Sequence, residues 1–219
     1  MVDITWYGQA CFKIKGKNAS VVIDPYDSQF TGLKAPKLDA NVVCVTHDHK
    51  DHNQVGQVGG VNDQKPFAIY GPGEYEISGI NVAGVASFHD DKDGAERGKN
   101  TIYQISIDEI TIVHLGDLGQ KKLSQDQIET LSGCDVLLIP VGGVFTIEAK
   151  DTPDIIASLE PKIVVPMHYK VEGLKFELAG VGEFLKQMGK ENIEKVSKLS
   201  VTSDRLPEEL EVVVLEVTN

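Results

Sequence analysis

Between residue 2 and about residue 88 the chain is cut into short β-branched and aromatic runs, "DITWYG", "CFKIKG", "SVVIDP", "NVVCVT", "FAIYGPG" and "INVAGVASF", separated by turn residues. Runs of that length and composition are strands, and their number commits the first half of the chain to sheet. "NTIYQISI" and "EITIVHLGD" continue the series, with Asp108 and Glu109 as the turn of a hairpin. The period then changes. "SQDQIETLSG" opens on a capping Ser124 and ends at Gly133, while "DTPDIIASLEP" carries Pro153 in its first turn and stops before Pro161, so both are predicted helices. The fully apolar runs "CDVLLIPVGG" and "PKIVVPMHY" suit central strands covered on both faces. "LKFELAGVGEFLKQMG" reads as a third helix and "ELEVVVLEV" as a closing strand. This mixture predicts an α/β (α+β) chain built as two sheets face to face with helices outside.

At 219 residues and 41% hydrophobic content, with no low-complexity linker, the expected organisation is one domain over 1–219. Thirty-three acidic against 21 basic side chains give a formal charge of −12, which repels phosphate backbones and argues against a nucleic-acid partner. Cys11, Cys44 and Cys134 are odd in number and lie in apolar contexts, as buried thiols of a reducing compartment do. No run approaches the roughly 18 apolar residues of a membrane span and no signal segment is evident, so a soluble, cytoplasmic protein is expected.

The strand "VVCVT" runs directly into "HDHKDH", which packs His47, His49 and His52 beside Asp48 and Asp51. A continued strand would throw His52 to the opposite face, and a helix would turn His49 away from His47. The segment is therefore expected to be a loop that enters a short helix near Asp51. His89, His114 and His168 each fall at or just beyond the end of a predicted strand, where loops assemble sites. Imidazole and carboxylate together suit zinc, manganese or iron, and a dication offsets the repulsion and desolvation of so many crowded groups.

"THDHKDH" matches the HxHxDH signature of the metallo-β-lactamase fold superfamily, and "VVIDP", "FHDD", "HLGDLG" and "VVPMHYK" resemble its other motifs in order. The chain is most similar to the small zinc-dependent hydrolase branch related to the ascorbate-6-phosphate lactonases. That resemblance covers nearly the whole chain and implies a four-layer αββα sandwich with two divalent metal ions, expected to be zinc. It further implies that His47, His49 and His89 hold one ion, that Asp51, His52 and His168 hold the second, and that Asp117 bridges them. Asp24 would orient a ligating imidazole through its other nitrogen. Two departures stand out: Gln9 occupies a position where many relatives have His, and "DDKDGAERGKN" follows His89 in place of the glycine-rich surroundings of lactam-hydrolysing members.

These readings point to a metal-dependent hydrolase that cleaves an ester, lactone or phosphoester in a small, anionic metabolite, with Asp51 and Asp117 as catalytic groups. The alternatives are a phosphodiesterase or nuclease, and a metal-stabilised binding module without chemistry. Arg97 and Lys99 are either solvent-facing loop charges or a seat for a substrate phosphate or carboxylate. Thr146 and Tyr169 are candidates for the pocket wall. His114 is expected to be a satisfied, partly buried histidine, Asp48 and Asp90 solvated neighbours, and Trp6 core.

Overall fold

The structure, a computed structural model, describes residues 1–218. The first half supplies β1 (Val2–Trp6), β2 (Phe12–Lys15), β3 (Ser20–Ile23), α1 (Ser28–Thr31), β4 (Leu38–Ala40), β5 (Val42–Val45), β6 (Val58–Gly60), β7 (Phe67–Tyr70), β8 (Gly73–Ile77) and β9 (Ile80–Phe88). The second supplies β10 (Lys99–Ile107), β11 (Ile110–His114), α2 (Gln125–Thr130), β12 (Val136–Pro140), α3 (Thr152–Leu159), β13 (Ile163–Met167), α4 (Val181–Gln187), β14 (Leu199–Val201) and β15 (Glu211–Val212).

Two mixed sheets result. One runs β14-β1-β2-β3-β5-β7 and the other β15-β13-β12-β11-β10-β9-β8. In the second, β8 to β11 pair antiparallel in sequence order, whereas β11, β12, β13 and β15 pair parallel because α2, α3 and the α4–β14 segment carry the chain back between them. Asp108 and Glu109 both sit at positive φ, 47° and 64°, as a two-residue hairpin turn requires.

Every residue of β12 and β13 is buried, as their continuous apolar runs predict for strands covered on both faces, and so is every residue of β3 and β5. Val21, Ile23, Val42 and Cys44 join the main core between the sheets, while Val22 and Val43 meet Leu33, Leu38, Val58, Leu174 and Leu178 on the outside. That outer layer contains a single-turn helix, the β4–β6 ribbon and the 171–178 segment. On the far side Ile155, Ile156 and Leu159 of α3 close the core. Tyr103 of β10 ties the sheets together at the functional rim: its buried hydroxyl donates to the Val45 carbonyl at 2.9 Å and accepts from the Gly71 N–H at 2.9 Å.

Two elements differ from the sequence reading. The predicted third helix begins only at Val181, because the Lys170 ammonium takes the Leu174 and Phe176 carbonyls and the Lys170 N–H takes that of Ala179. The closing strand pairs for only two residues. Val213 still donates to the Val164 carbonyl, but by Glu216 the chain has turned to Val196, so "ELEVVVLEV" is divided between two neighbours.

Candidate metal centre

Strand ends deliver the cluster. β5 runs out into Thr46, His47, His49, Asp51 and His52; β9 ends one residue before His89, β13 one residue before His168, and β11 three residues before Asp117. No helix forms near Asp51. His52 and Asn53 both donate to the His49 carbonyl, at 2.9 and 3.0 Å, and this tight turn followed by a 3₁₀ segment at Val55–Gln57 folds His47, His49 and His52 towards one point. The glycines of "HLGDLG" are sterically required. Gly116 sits at φ +58°, where a Cβ would strike the Asn100 side-chain oxygen, and a Cβ on Gly119 would strike the backbone of His89 and Asp90. Asn100 Oδ1 in turn accepts from the Asp117 N–H at 3.1 Å. Gln9, Asp24 and His168 also adopt left-handed backbone, with φ of 49°, 50° and 51°, the strain that accumulates where a site fixes side-chain direction.

Four imidazoles converge on one carboxylate oxygen. Asp117 Oδ2 lies 3.3 Å from Nε2 of His52 and of His168, 3.4 Å from that of His89 and 3.9 Å from that of His47. Around it stand two trios whose ligand atoms lie within 4.8 Å of one another, His47–His49–His89 and Asp51–His52–His168. All are buried or nearly so except His49, which is exposed.

Hydrogen bonds fix two of the ring tautomers. The Thr46 hydroxyl has one proton, which goes to Asp24 Oδ2 at 2.7 Å; it must therefore accept from His47 Nδ1 at 3.0 Å, leaving the Nε2 lone pair free. Asp24 Oδ2 also accepts from His52 Nδ1 at 2.9 Å, which fixes a proton on Nδ1 of that ring and leaves its Nε2 to a proton or a cation, and Asp24 Oδ1 accepts from the Thr46 N–H at 2.8 Å. One carboxylate thus sets an imidazole in each trio. Burial, with the charge of His52, pushes His47 down to about 2. Burial alone would lower His52 too, but Asp117, Asp51 and Asp24 outweigh it and raise the ring well above its ordinary value. Asp117 goes the other way: its burial is outweighed by His168 and His52, which hold it well below the carboxylate range.

The residues fit a cation. His47 Nε2, His52 Nε2 and Asp117 Oδ1 are buried with no hydrogen-bond partner, a costly arrangement for a polar atom unless something else satisfies it. Their nitrogen and oxygen donors are those of a divalent transition metal.

The β-lactamase superfamily domain pattern matches residues 3–168. The chain belongs to this superfamily. A crystal structure of a candidate Zn-dependent hydrolase of the metallo-β-lactamase superfamily from Thermotoga maritima is 36% identical, with TM-score 0.80 and full coverage of both chains. A metal-dependent hydrolase of Pyrococcus horikoshii is 29% identical over 192 residues, covering 77% of this chain and 85% of that one. Its counterpart in Thermoplasma volcanium is 28% identical over 216 residues, covering 84% and 94%. The chain is accordingly a metal-dependent hydrolase of mixed α/β architecture in this superfamily, and among its described residues no helix is long and apolar enough to cross a membrane.

A cavity of about 500 Å³ opens over Asp117, His89 and His168. Arg97 lines it, whereas Lys99 lines a neighbouring depression beside Thr46 and Tyr70. Tyr169, only 1% exposed, is packed 4.9 Å from the Trp6 ring in the core, and the Thr146 hydroxyl donates to the Ile147 carbonyl; neither lines the cavity. Asp48, expected to be a solvated neighbour, does line it, as does Lys50, together with Phe30, Phe145 and Phe176, which sequence reasoning missed. His114 is fully buried and satisfied at both nitrogens, by the Ala10 carbonyl at 2.9 Å and the Gly116 N–H at 3.0 Å. Asp90 is not merely solvated, since its carboxylate accepts from the N–H groups of Lys92, Gly94, Glu96 and Arg97 and so ties the loop that carries Arg97. Gln9 Nε2 stands 3.3 Å from both Asp51 Oδ2 and His168 Nε2.

Proposed function

We propose that the chain holds two divalent ions, zinc suiting the donor set best, and hydrolyses an ester, lactone or phosphoester bond in a small anionic molecule. The observation that carries this reading is the convergence of four imidazole Nε2 atoms on Asp117 Oδ2, with one complete trio on either side. His47, His49 and His89 would hold one ion, Asp51, His52 and His168 the other, and Asp117 would contact both. Ions so placed supply Lewis acidity and bring the pKa of water towards neutrality. Asp24 and Thr46 keep His47 and His52 in the tautomers whose Nε2 lone pairs face the centre. Asp51, at the cavity wall, would take up the proton released by the attacking water and return it to the leaving group. Arg97 offers unused guanidinium donors to an anionic group.

The whole of 1–219 is proposed to act as one unit, because β14 pairs with β1 and β15 with β13 beyond the end of the matched region. Three buried free thiols support a reducing, cytoplasmic location. The test is metal stoichiometry together with a screen of esters, lactones and phosphodiesters on wild type and Asp117→Asn. Two ions per chain and loss of turnover in a folded variant are expected. Wild-type turnover in Asp117→Asn on any confirmed substrate overturns the reading.

A further inference from the structure

Three phenylalanines gather at the mouth of the cavity. Phe30 is 41% exposed and Phe145 38%, while Phe176 is half-buried between them, its ring centroid 5.2 Å from that of Phe30 and 6.4 Å from that of Phe145. They come from three sequence-distant segments, yet all three line the space that also reaches Asp51, His89, Asp117 and His168. Isolated exposed rings are common; three gathered beside a polar centre, one of them between the other two, form an apolar patch that marks a binding surface.

The wall is also held in place. Asp27 caps the turn that carries Phe30, and its N–H donates to the Lys50 carbonyl, which ties the wall to the ligand loop. Lys175 joins α1 to the Phe176 segment, donating through Nζ to Gln29 O at 2.7 Å and through its backbone N–H to Thr31 O at 2.9 Å. Lys170, two residues after His168, donates to the carbonyl of Phe176 itself at 2.7 Å. On the third side Val144 sits at φ +63°, which a β-branched residue seldom adopts, and it is exposed. Its carbonyl accepts from Arg97 Nη2 at 3.2 Å, and the Arg97 guanidinium lies 5.2 Å from the centroid of the Phe145 ring. The strained turn holds Phe145 and Arg97 together at the cavity, where a clamp on a ligand would need them.

We infer that the substrate carries an aryl or alkyl group next to its scissile bond, which lies against Phe30, Phe145 and Phe176 while the bond itself lies over the His–Asp centre. This rests on the hydrolytic site proposed above and narrows its substrate from a polar anion such as a sugar phosphate to a molecule with an apolar portion. A cavity of about 500 Å³ has room for such a group.

The test uses binding, so that it does not depend on finding a turnover substrate. Acetate, phenylacetate and 4-phenylbutyrate are titrated calorimetrically into the metal-loaded protein, wild type and the Phe30→Ala, Phe145→Ala and Phe176→Ala variants. Phe30 and Phe145 are exposed enough for their removal to leave the fold intact, which thermal unfolding checks. Affinity is expected to rise about tenfold or more from acetate to the aryl carboxylates, the order expected for burying a ring, and most of that gain should vanish in the variants. Three carboxylates of equal affinity, no measurable binding, or a gain that survives all three substitutions overturns the inference. If the series discriminates but no ester, lactone or phosphodiester is cleaved, the hydrolytic reading falls and the apolar subsite stands.

Discussion

Asp24→Asn isolates the contribution of ring orientation to the metal centre. The change is nearly isosteric, and Asn tolerates the φ of 50° at this position as well as Asp does. Kept in place by the Thr46 N–H on Oδ1, the amide turns two N–H groups towards the Thr46 hydroxyl and His52 Nδ1, which both donate to Asp24 Oδ2 in the wild type. His52 Nδ1 must then become an acceptor, and its proton moves to Nε2. The Thr46 hydroxyl, now an acceptor from the amide, donates its own O–H to His47 Nδ1, so that ring carries its proton on Nε2 as well. Two proposed ligands, one in each trio, would thus present N–H to the centre in place of a lone pair. Loss of one such orienting partner costs about 10- to 100-fold in metal affinity. Two losses through one carboxylate give about 10²- to 10⁴-fold, the lower figure applying if they couple. Thr46→Val removes the His47 partner and one donor to Asp24 but leaves the Asp24–His52 bond, and should cost a single factor. Chelator-competition titrations measure the affinities, and nitrogen NMR of the imidazoles reads the tautomers. If the amide flips, both tautomers survive but the Thr46 N–H faces another N–H, at a cost of about 1–3 kcal/mol of stability. Asp24→Asn with wild-type affinity, tautomers and stability together would refute the reasoning.

Metal removal should add an alkaline limb to the pH dependence. In chelator-treated protein, the raised pKa of His52 means that its ion pairs with Asp117, Asp51 and Asp24 stabilise fully below about pH 6.5 and weaken as pH rises through the folded value. Thermal unfolding should therefore show stability falling on the alkaline side; in loaded protein the imidazoles are held neutral, and stability should fall on the acid side as protons compete with the ions. Asp90→Ala should leave the fold intact but release the 92–97 loop, read as faster hydrogen exchange at Lys92, Gly94, Glu96 and Arg97, whose N–H groups it now holds. The same four contacts bring the Asp90 carboxyl down to about 2, so in wild type this protection should persist through pH 4 and be lost only as pH approaches that value.

What could be read in advance follows from how each side chain is positioned. His47, His49, Asp51 and His52 are legible because six consecutive positions leave an apolar strand, and His89, Asp117 and His168 because each stands at or shortly after a strand end with its own β-branched signal. Their mutual distances are then set by strand ladders, which depend on hydrophobic pattern. Thr46 gives no such signal. Its role exists only because β3 and β5 pair in parallel and bring Asp24 beside it, a contact across 22 residues. The helix expected near Asp51 fails for a related reason: His52 and Asn53 both turn back to the His49 carbonyl, closing one turn that no further residue continues.

Phe30, Phe145 and Phe176 were illegible for a different physical reason. Phe30 and Phe145 are single aromatics in segments without period, Phe176 lies in a run whose pattern reads as helix, and each is held by a bond from a side chain to a backbone group that no composition rule anticipates: the Asp27 cap, the Arg97 guanidinium on the Val144 carbonyl, the Lys170 ammonium on the Phe176 carbonyl. The two kinds of support are separable. The donor set rests on paired strands deep in the core, where a substitution is felt by the fold, whereas the mouth rests on surface loops that side chains pin. Change at residues 30, 145 and 176 can therefore alter which molecule is held over the centre without moving the groups that act on it. By the same reasoning, relatives that share the HxHxDH segment need not share a substrate, and the residues to compare between them are the three rings and the Arg97 loop.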